Sequence, residues 1–564
     1  MTAPNGEPAQ DGAALRSPDI VLRLDRMGSA HQTRLSFLRV LLRRIAREHW
    51  TFTRPRFDID VRGVGTAIYQ VDTAQRTYSL VCFGHDLPPE KRTDRVIAEE
   101  WDATFALFDG IPSDDDIARL FANVPKQEAG RYLGSELVLA RANRSVRLFE
   151  AVVSALADGR QPDADALEAT GYLMRTTAVY GNGKFGIADR DRILQRDEMS
   201  GPFQAEMLTV YLIRAFTVDL AEHMARLRGA GVAAPLAPAL RRRLGVGNAT
   251  GLGMAPFLVR HPALLHRWIS ARETALARVR ALANAETAAI TRFHSAVASG
   301  EKIVAHWTTD DPVQSPRIPQ LADDLSKLRA YTQDGDVFTR PQPWDAIYRW
   351  AERELTLEGQ EFTVTLLLEP HGDLIDDLGA TMAADEASSF AIDGKQRCAD
   401  LRASITHDYA WALSTDFSAP DQSAMFWYVS EEKLEPRLGI RADEPGAERE
   451  QPLAVARDIA VLHRTLSSED DDERVGSFLM RHPQYRHTVR RAQILARFPY
   501  AEIRDNLIGG TMRAVNILRC KLAFFGVTRF DPRSDKWLRI TLYQGAPFPT
   551  ELADGDWDDW IWPR

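Results

Sequence analysis

The sequence predicts an α+β protein, predominantly helical, made of two related halves. Each half packs a short strand pair on helices, and the two are related by a pseudo-two-fold axis. Three observations lead there. Apolar residues recur at helical spacing through most of the chain. Two pairs of strand-like runs lie near opposite ends. A set of short motifs recurs in the same order behind each pair.

Residues 1–17 are rich in Ala, Pro, Gly and Asp without periodicity, which predicts a disordered tail. The N-terminal half is placed at 18–298. It opens with a helix over 29–49, where Leu35, Leu38, Leu41, Leu42 and Ile45 share one face and arginines take the other. The runs 61–71 and 78–84 then predict a hairpin. Helices are expected over 93–110 and 114–157, the second opening at Ser113 with three aspartates in its first turn, which suits the positive end of a helix dipole. A long amphipathic helix is expected over 203–227.

A proline- and glycine-punctuated stretch, 299–345, predicts linker and surface loops. The C-terminal half, 346–564, contributes a buried strand over 361–368, a strand pair at 406–415 and 423–430, and a helix at 452–466. It ends in an aromatic tail with Trp557, Trp560 and Trp562, expected to dock on the body or on another subunit.

The case for duplication rests on Leu120 to Pro125 with Leu139-Ala140-Arg141, Phe257 to Pro262 with Leu276-Ala277-Arg278, and Phe478 to Pro483 with Leu495-Ala496-Arg497. The spacing from proline to arginine is 16, 16 and 14 residues.

Composition bounds the function. With 564 residues, 45% apolar and 26% charged, the chain has ample length for a large core. A net charge of −9 argues against nucleic acid as a partner, because phosphate binding needs a basic face. No apolar run approaches the roughly 18–20 residues of a membrane helix, and no signal-peptide core is expected. Three widely spaced cysteines predict a reducing cytoplasm. Nine lysines stand against sixty-one arginines, so each lysine is worth attention.

The first site candidate runs from Met174 to Gly186 and includes Arg175, Tyr180, Asn182, Gly183 and Lys184. Three glycines would let backbone N–H groups cradle an anion, with Lys184 as a point charge or nucleophile. It lacks the spacing of a P-loop, and no βαβ pattern is expected around it. The second runs from Arg243 to Pro256, with Asn248, Thr250 and Gly251, ahead of Arg260 and His261. A glycine loop opening a helix is a natural anion site.

These residues predict a cytoplasmic enzyme for a small anionic metabolite, a carboxylate or acyl compound. Lys184, His261 and Tyr180 would be catalytic; Arg175, Asn182, Gly183, Asn248, Thr250, Gly251 and Arg260 would hold substrate. Lyase or hydrolase chemistry is expected, with no cofactor and no metal, although Glu369, His371, Asp373 and His407 are one possible metal set. The rival reading is a non-catalytic ligand-binding protein or oligomeric scaffold. No Gly-x-Ser-x-Gly, Cys-x-x-Cys or His-Glu-x-x-His motif occurs.

Overall fold

The computed structural model describes residues 15–22, 33–92, 100–124, 133–177, 193, 196–250, 262–308, 312, 315–333, 336–382, 390–419, 427–430, 436–438, 450–453, 455–502, 525–526, 529–532 and 538–553.

A large sheet organises the fold. Its strands are β1 (Thr51–Ile59), β2 (Gly65–Asp72), β3 (Thr77–Gly84), β4 (Ala103–Asp109), β5 (Glu136–Arg144), β6 (Tyr172–Thr176) and β7 (Gly245–Thr250). Two late strands, β11 (Arg529–Pro532) and β12 (Leu538–Leu542), join them in the order β1-β2-β3-β4-β5-β6-β7-β12-β11. Every pairing is antiparallel except β6 with β7, which is parallel. A small separate sheet has the order β10-β8-β9, from β8 (Trp427–Ser430), β9 (Pro436–Leu438) and β10 (Glu450–Leu453).

This overturns the expected pseudo-two-fold of short strand pairs. The α+β, helix-rich character stands, but β12 from the C-terminal end pairs directly with β7, so both ends of the chain build one mixed sheet. The motif set does not mark a repeated unit either. Leu139-Ala140-Arg141 lies on strand β5, whereas Leu276-Ala277-Arg278 and Leu495-Ala496-Arg497 lie on helices.

β4 and β5 occupy stretches expected to be helical, and the reason is burial on both faces. Leu80, Cys82, Phe105 and Ala140 belong to the main core on one face of the sheet. Val81, Phe83, Ala106, Phe108 and Leu139 form a second cluster on the other. Strands covered on both sides lose the polar alternation that identifies a strand in sequence. β1 is the opposite case, an edge strand that is mostly exposed. Its register shifts between Thr53 and Arg56, around Pro55, which has no N–H for the ladder.

The helices of nine residues or more are numbered here. In the first part of the chain they are α1 (Phe37–Arg47), α2 (Asp114–Asn123), α3 (Phe149–Ala157) and α4 (Gln204–Gly229). α4 is buried along most of its length and packs on the main-core face of the sheet. Phe216 from α4 sits 5.4 Å from Phe105 and 6.4 Å from both Phe57 and Tyr69. Apolar residues on all sides suit an enclosed helix and not the amphipathic one expected. Gly229 brings α4 against α3, and a Cβ there would stand 2.1 Å from Ala157 O. α2 covers the other face. Its N-terminus is a capping box, Ser113 Oγ accepting from the Asp116 N–H and the Asp116 carboxylate accepting from the Ser113 N–H.

Next come α5 (Pro262–Arg280), α6 (Thr287–Ala305), α7 (Arg317–Gln333), α8 (Pro343–Glu354) and α9 (Leu357–Leu368). The stretch expected to be linker therefore holds the end of α6, all of α7 and the start of α8. α9 corrects the expected buried strand. Its run Phe362 to Leu368 is buried throughout, so helical periodicity is hidden. Thr356 caps its N-terminus, and Thr363 Oγ1 donates to Gly359 O at 2.8 Å, as a threonine can inside a helix. The layer closes with α10 (Cys398–Asp408), α11 (Val455–Leu466) and α12 (Arg486–Arg497). α10 and the turn Ala410–Leu413 replace the expected strand at 406–415.

Buried ion pairs tie this layer to the rest. Arg39 of α1 bonds Glu369 at 2.6 and 2.9 Å. Arg16 bonds Glu273 at 2.6 and 2.7 Å and Glu361 at 2.6 Å. Among the described residues, no helix is long and apolar enough to cross a membrane.

Candidate functional site

The chain reaches the first predicted loop through β6. Gly171, in the left-handed region at φ 76°, turns the chain out of the helix Ala164–Thr170 and into the strand. β6 leads on to α4, and α4 returns to β7, which lies parallel beside β6 with Arg175 opposite Gly247. This is a β-helix-β unit, contrary to the expectation that none surrounds the loop. The strands that lead into the two predicted loops therefore point the same way, side by side. In such units ligands bind at the carboxyl ends of the strands.

Of the residues expected at the site, Tyr180, Asn182, Gly183, Lys184, Gly251, Arg260 and His261 lie outside the described residues. Asn248 and Thr250 lie on β7 as backbone partners of Ile540 and Leu538. That makes this part of the second glycine stretch a strand and not a loop. Arg175 is buried on β6 opposite Asn143. The register places Asn143 and Arg175 on the face of Phe83 and Leu139, away from α4.

The possible metal set does not assemble. Glu369 is bonded to Arg39, His407 is exposed beside Asp408 at 2.7 Å, and Asp373 is exposed. Among the described residues, no group of three or more metal-ligating side chains occurs.

The register sets Thr176, at the carboxyl end of β6, level with Ala142, Ala103 and Gly84. The start of β1, the start of β3 and the end of β4 lie at the other end of the sheet. Two linked features lie there. The first is a buried network between β3, β4 and the segment before α4. Tyr78 donates to Glu198 Oε1, and Arg76 Nε stands 3.3 Å from the same oxygen. Arg196 donates to Asp109 at 2.6 Å and to the Tyr78 oxygen at 3.3 Å. The bond to Asp109 raises the Arg196 pKa, and burial, with the bond to Glu198, raises that of Tyr78.

The second feature is a cleft of about 900 Å³ between α1, the turn into β1, and the chain from Gly372 to Ala380. Arg43, Arg44, Arg47 and His49 line one side; Asp373, Asp376 and Asp377 line the other. The aspartates at 376 and 377 already have partners. Arg34 holds Asp376 through two bonds of 2.7 Å, and Arg278 bonds Asp377 at 2.9 Å. His49 has φ 54°, a conformation uncommon for a non-glycine residue and one that recurs at functional sites.

Arg44 joins the two features. Its guanidinium donates to Glu198 O at 2.9 Å, Ser200 O at 2.6 Å and Ser200 Oγ at 2.9 Å, all neutral acceptors. The Glu48 carboxylate, one turn further on, forms a longer ion pair with it at 3.7 Å. Burial, the largest influence, lowers the Arg44 pKa. The result is a mostly buried cation on a cleft wall without a carboxylate in hydrogen-bond contact, an arrangement suited to an incoming anion.

Sequence reasoning missed Arg44, His49, Tyr78, Arg196 and Glu198. One signal was present: Arg39 and Arg44 fall among the apolar positions of helix 37–47 and not only on its outer face, and both are buried. Comparison with protein-family models, curated proteins and solved structures finds no match to this chain.

Proposed function

We propose that this protein is a cytoplasmic enzyme that binds a small anionic metabolite, a carboxylate or acyl compound, in the cleft beside α1. The observation that carries the reading is Arg44, a mostly buried guanidinium bonded to neutral acceptors and among the residues that line a cavity of metabolite size. Arg43 and Arg47 lie on the same wall, Arg43 paired with the facing Asp376 at 3.4 Å and Arg47 with Glu48 at 3.3 Å, while Arg34 and Arg278 also hold Asp376 and Asp377.

In this reading Arg44 receives the substrate's anionic group and His49 moves a proton at the cleft wall. The Tyr78–Glu198–Arg196–Asp109 network is the rigid support. It fixes the segment whose carbonyls hold Arg44, and pre-positioned partners of this kind keep a charged group in place for its ligand. Lys184, which follows β6 in sequence, is kept as a further candidate cation. Lyase or hydrolase chemistry fits this inventory of cations and one imidazole. The cytoplasmic assignment rests on Cys82 and Cys398, both buried and unbridged.

A thermal-shift screen with small carboxylates, acyl esters and phosphate monoesters tests the proposal. A compound that raises the melting midpoint of the wild type, but not of Arg44→Met, and that is consumed on incubation supports an enzyme at this cleft. Stabilisation without consumption favours a binding protein. No stabilisation by any of the compounds contradicts the site.

A further inference from the structure

The helical layer contains a chain of contacts that the cleft does not use. It runs from an imidazole through a tyrosine to the N-terminal segment 15–22. His266 lies on the first turns of α5. Its Nδ1 accepts the Tyr500 backbone N–H at 3.2 Å, and its ring stacks on Tyr500 with centroids 5.5 Å apart and planes 23° apart. Phe498 packs against the same imidazole at 5.0 Å. The Tyr500 hydroxyl reaches on and donates to Arg16 O at 2.7 Å. Arg16 is itself set into Glu273 and Glu361, and the residues after it, Val21 and Leu22, are buried in the main core.

We propose that His266 is the acid-sensitive catch of a latch that holds the N-terminal segment 15–22 in the helical layer. The argument is one of hydrogen-bond valence. An imidazole nitrogen accepts only when it carries no proton, so the closed latch requires a neutral ring protonated at Nε2. Adding a proton from solvent places a donor at Nδ1 against the Tyr500 donor. The bond is lost and a charge is buried.

Among the described residues, nothing nearby compensates that charge. Arg267 is adjacent on α5, and Arg497 lies over the Phe498 ring at 5.4 Å. The carboxylates of the surrounding elements are already engaged: Glu273 with Arg16, and Glu502 with Arg491 and Tyr409. Burial first, and then Arg267, lower the His266 pKa to about 4.

The sign follows from linkage. The released ring titrates near its ordinary value of about 6.5 and binds the proton more readily than the closed one. Closure is therefore strongest above about pH 6.5 and weakens steadily as pH falls toward 4. When Tyr500 lets go, Arg16 loses its carbonyl partner, and the segment 15–22 keeps only its side-chain anchors.

Hydrogen–deuterium exchange of the full-length protein, corrected for intrinsic rates and followed by mass spectrometry from pH 7 to pH 5, tests the latch. Exchange in peptides covering 15–22 and 498–502 is expected to rise together, by at most about tenfold per pH unit, the slope of a single proton. Peptides from β3 and β4 should keep their protection. His266→Asn retains a neutral acceptor near Nδ1 and should flatten the pH dependence. Tyr500→Phe should raise exchange at 15–22 already at pH 7.

The proposal is overturned if the wild type shows no pH-dependent rise at 15–22, if the sheet peptides follow the same profile, or if His266→Asn responds to pH as the wild type does. Should His266→Asn fail to fold, the comparison of wild type with Tyr500→Phe decides alone. Identical exchange at 15–22 in those two proteins at pH 7 would sink the latch.

Discussion

The Arg39 guanidinium meets the Glu369 carboxylate through paired hydrogen bonds of 2.6 and 2.9 Å, with both side chains sealed from solvent. The pair fastens α1, whose other arginines line the cleft, to the helical layer at the end of α9. Removing one partner strands a buried charge. Arg39→Met should therefore cost about 3–5 kcal/mol of stability. The double variant Arg39→Met, Glu369→Leu should recover most of that loss, because two apolar groups leave no orphaned charge. Urea unfolding of the three proteins measures both effects. Equal losses in the single and double variants would mean that packing, and not charge, holds this contact.

Arg214 is fully buried on α4, its guanidinium 3.8 Å above the Phe548 ring. It donates to Leu244 O at 2.7 Å, Ala546 O at 2.9 Å and Pro547 O at 3.3 Å. Burial lowers its pKa, but a guanidinium so well supplied with acceptors keeps its proton. It joins α4 to the entry of β7 and to the chain that follows β12. Arg214→Met leaves these carbonyls unpartnered and is expected to cost about 2–4 kcal/mol. Arg214→Lys should recover less than half of that, since an ammonium cannot span the same fork of acceptors. Denaturant midpoints decide it.

Gly229 allows α4 to touch α3, where an added Cβ would stand 2.1 Å from a backbone oxygen of Ala157. Gly229→Ala should lower stability by about 1–3 kcal/mol, although alanine is the better helix former. A stabilised variant in thermal unfolding would show that the two helices have room to part.

His371 supplies a pH dependence distinct from the latch. Its Nε2 is buried without a hydrogen-bond partner, and Trp344 meets its ring edge-on at 4.8 Å. Burial first, and then Arg292, lower its pKa to about 4. The unfolded chain, with an ordinary histidine pKa near 6.5, binds the proton more readily, so stability is full above that value and falls as pH drops toward 4. The slope from this residue is expected to be at most about 1 kcal/mol per pH unit once screening of the partly exposed ring is allowed for. His371→Phe should reduce the slope of unfolding free energy between pH 6.5 and 4.5. An unchanged slope would remove this imidazole from the account.

The sequence was legible where a polar turn bounds an element or one face of it meets water. The β2–β3 hairpin followed from two strand-like runs either side of the polar turn at 72–76, although β3 is covered on both faces. Helix 455–466 lies within the stretch expected at 452–466, whose first residues belong to β10, and α4 lies close to the expected 203–227 although it is enclosed and not amphipathic. It was misleading where burial is complete. Phe362 to Leu368 contains Val364, Thr363 and Thr365, which favour a strand, yet the run is enclosed as helix α9. β4 and β5 are covered on both faces and so lost their period.

Arg175 was singled out because glycines and a lysine follow it in sequence, and it lies buried on β6 and not on the cleft. Glu198 was not singled out, because the partner that defines it, Tyr78, lies 120 residues away. Arg44 was passed over because arginine is this chain's ordinary cation, and only burial distinguishes it from Arg43 and Arg47.

The most direct test of the account is a titration of wild type and Arg44→Met with whichever small carboxylate, acyl ester or phosphate monoester stabilises the wild type. The far-ultraviolet spectra of the two proteins should first be matched. The account expects the variant to bind at least about tenfold more weakly, a loss of about 1.4 kcal/mol or more, with Arg43→Met intermediate because it shares the same wall. Equal affinity in wild type and Arg44→Met would contradict the assignment of the cleft as the anion site.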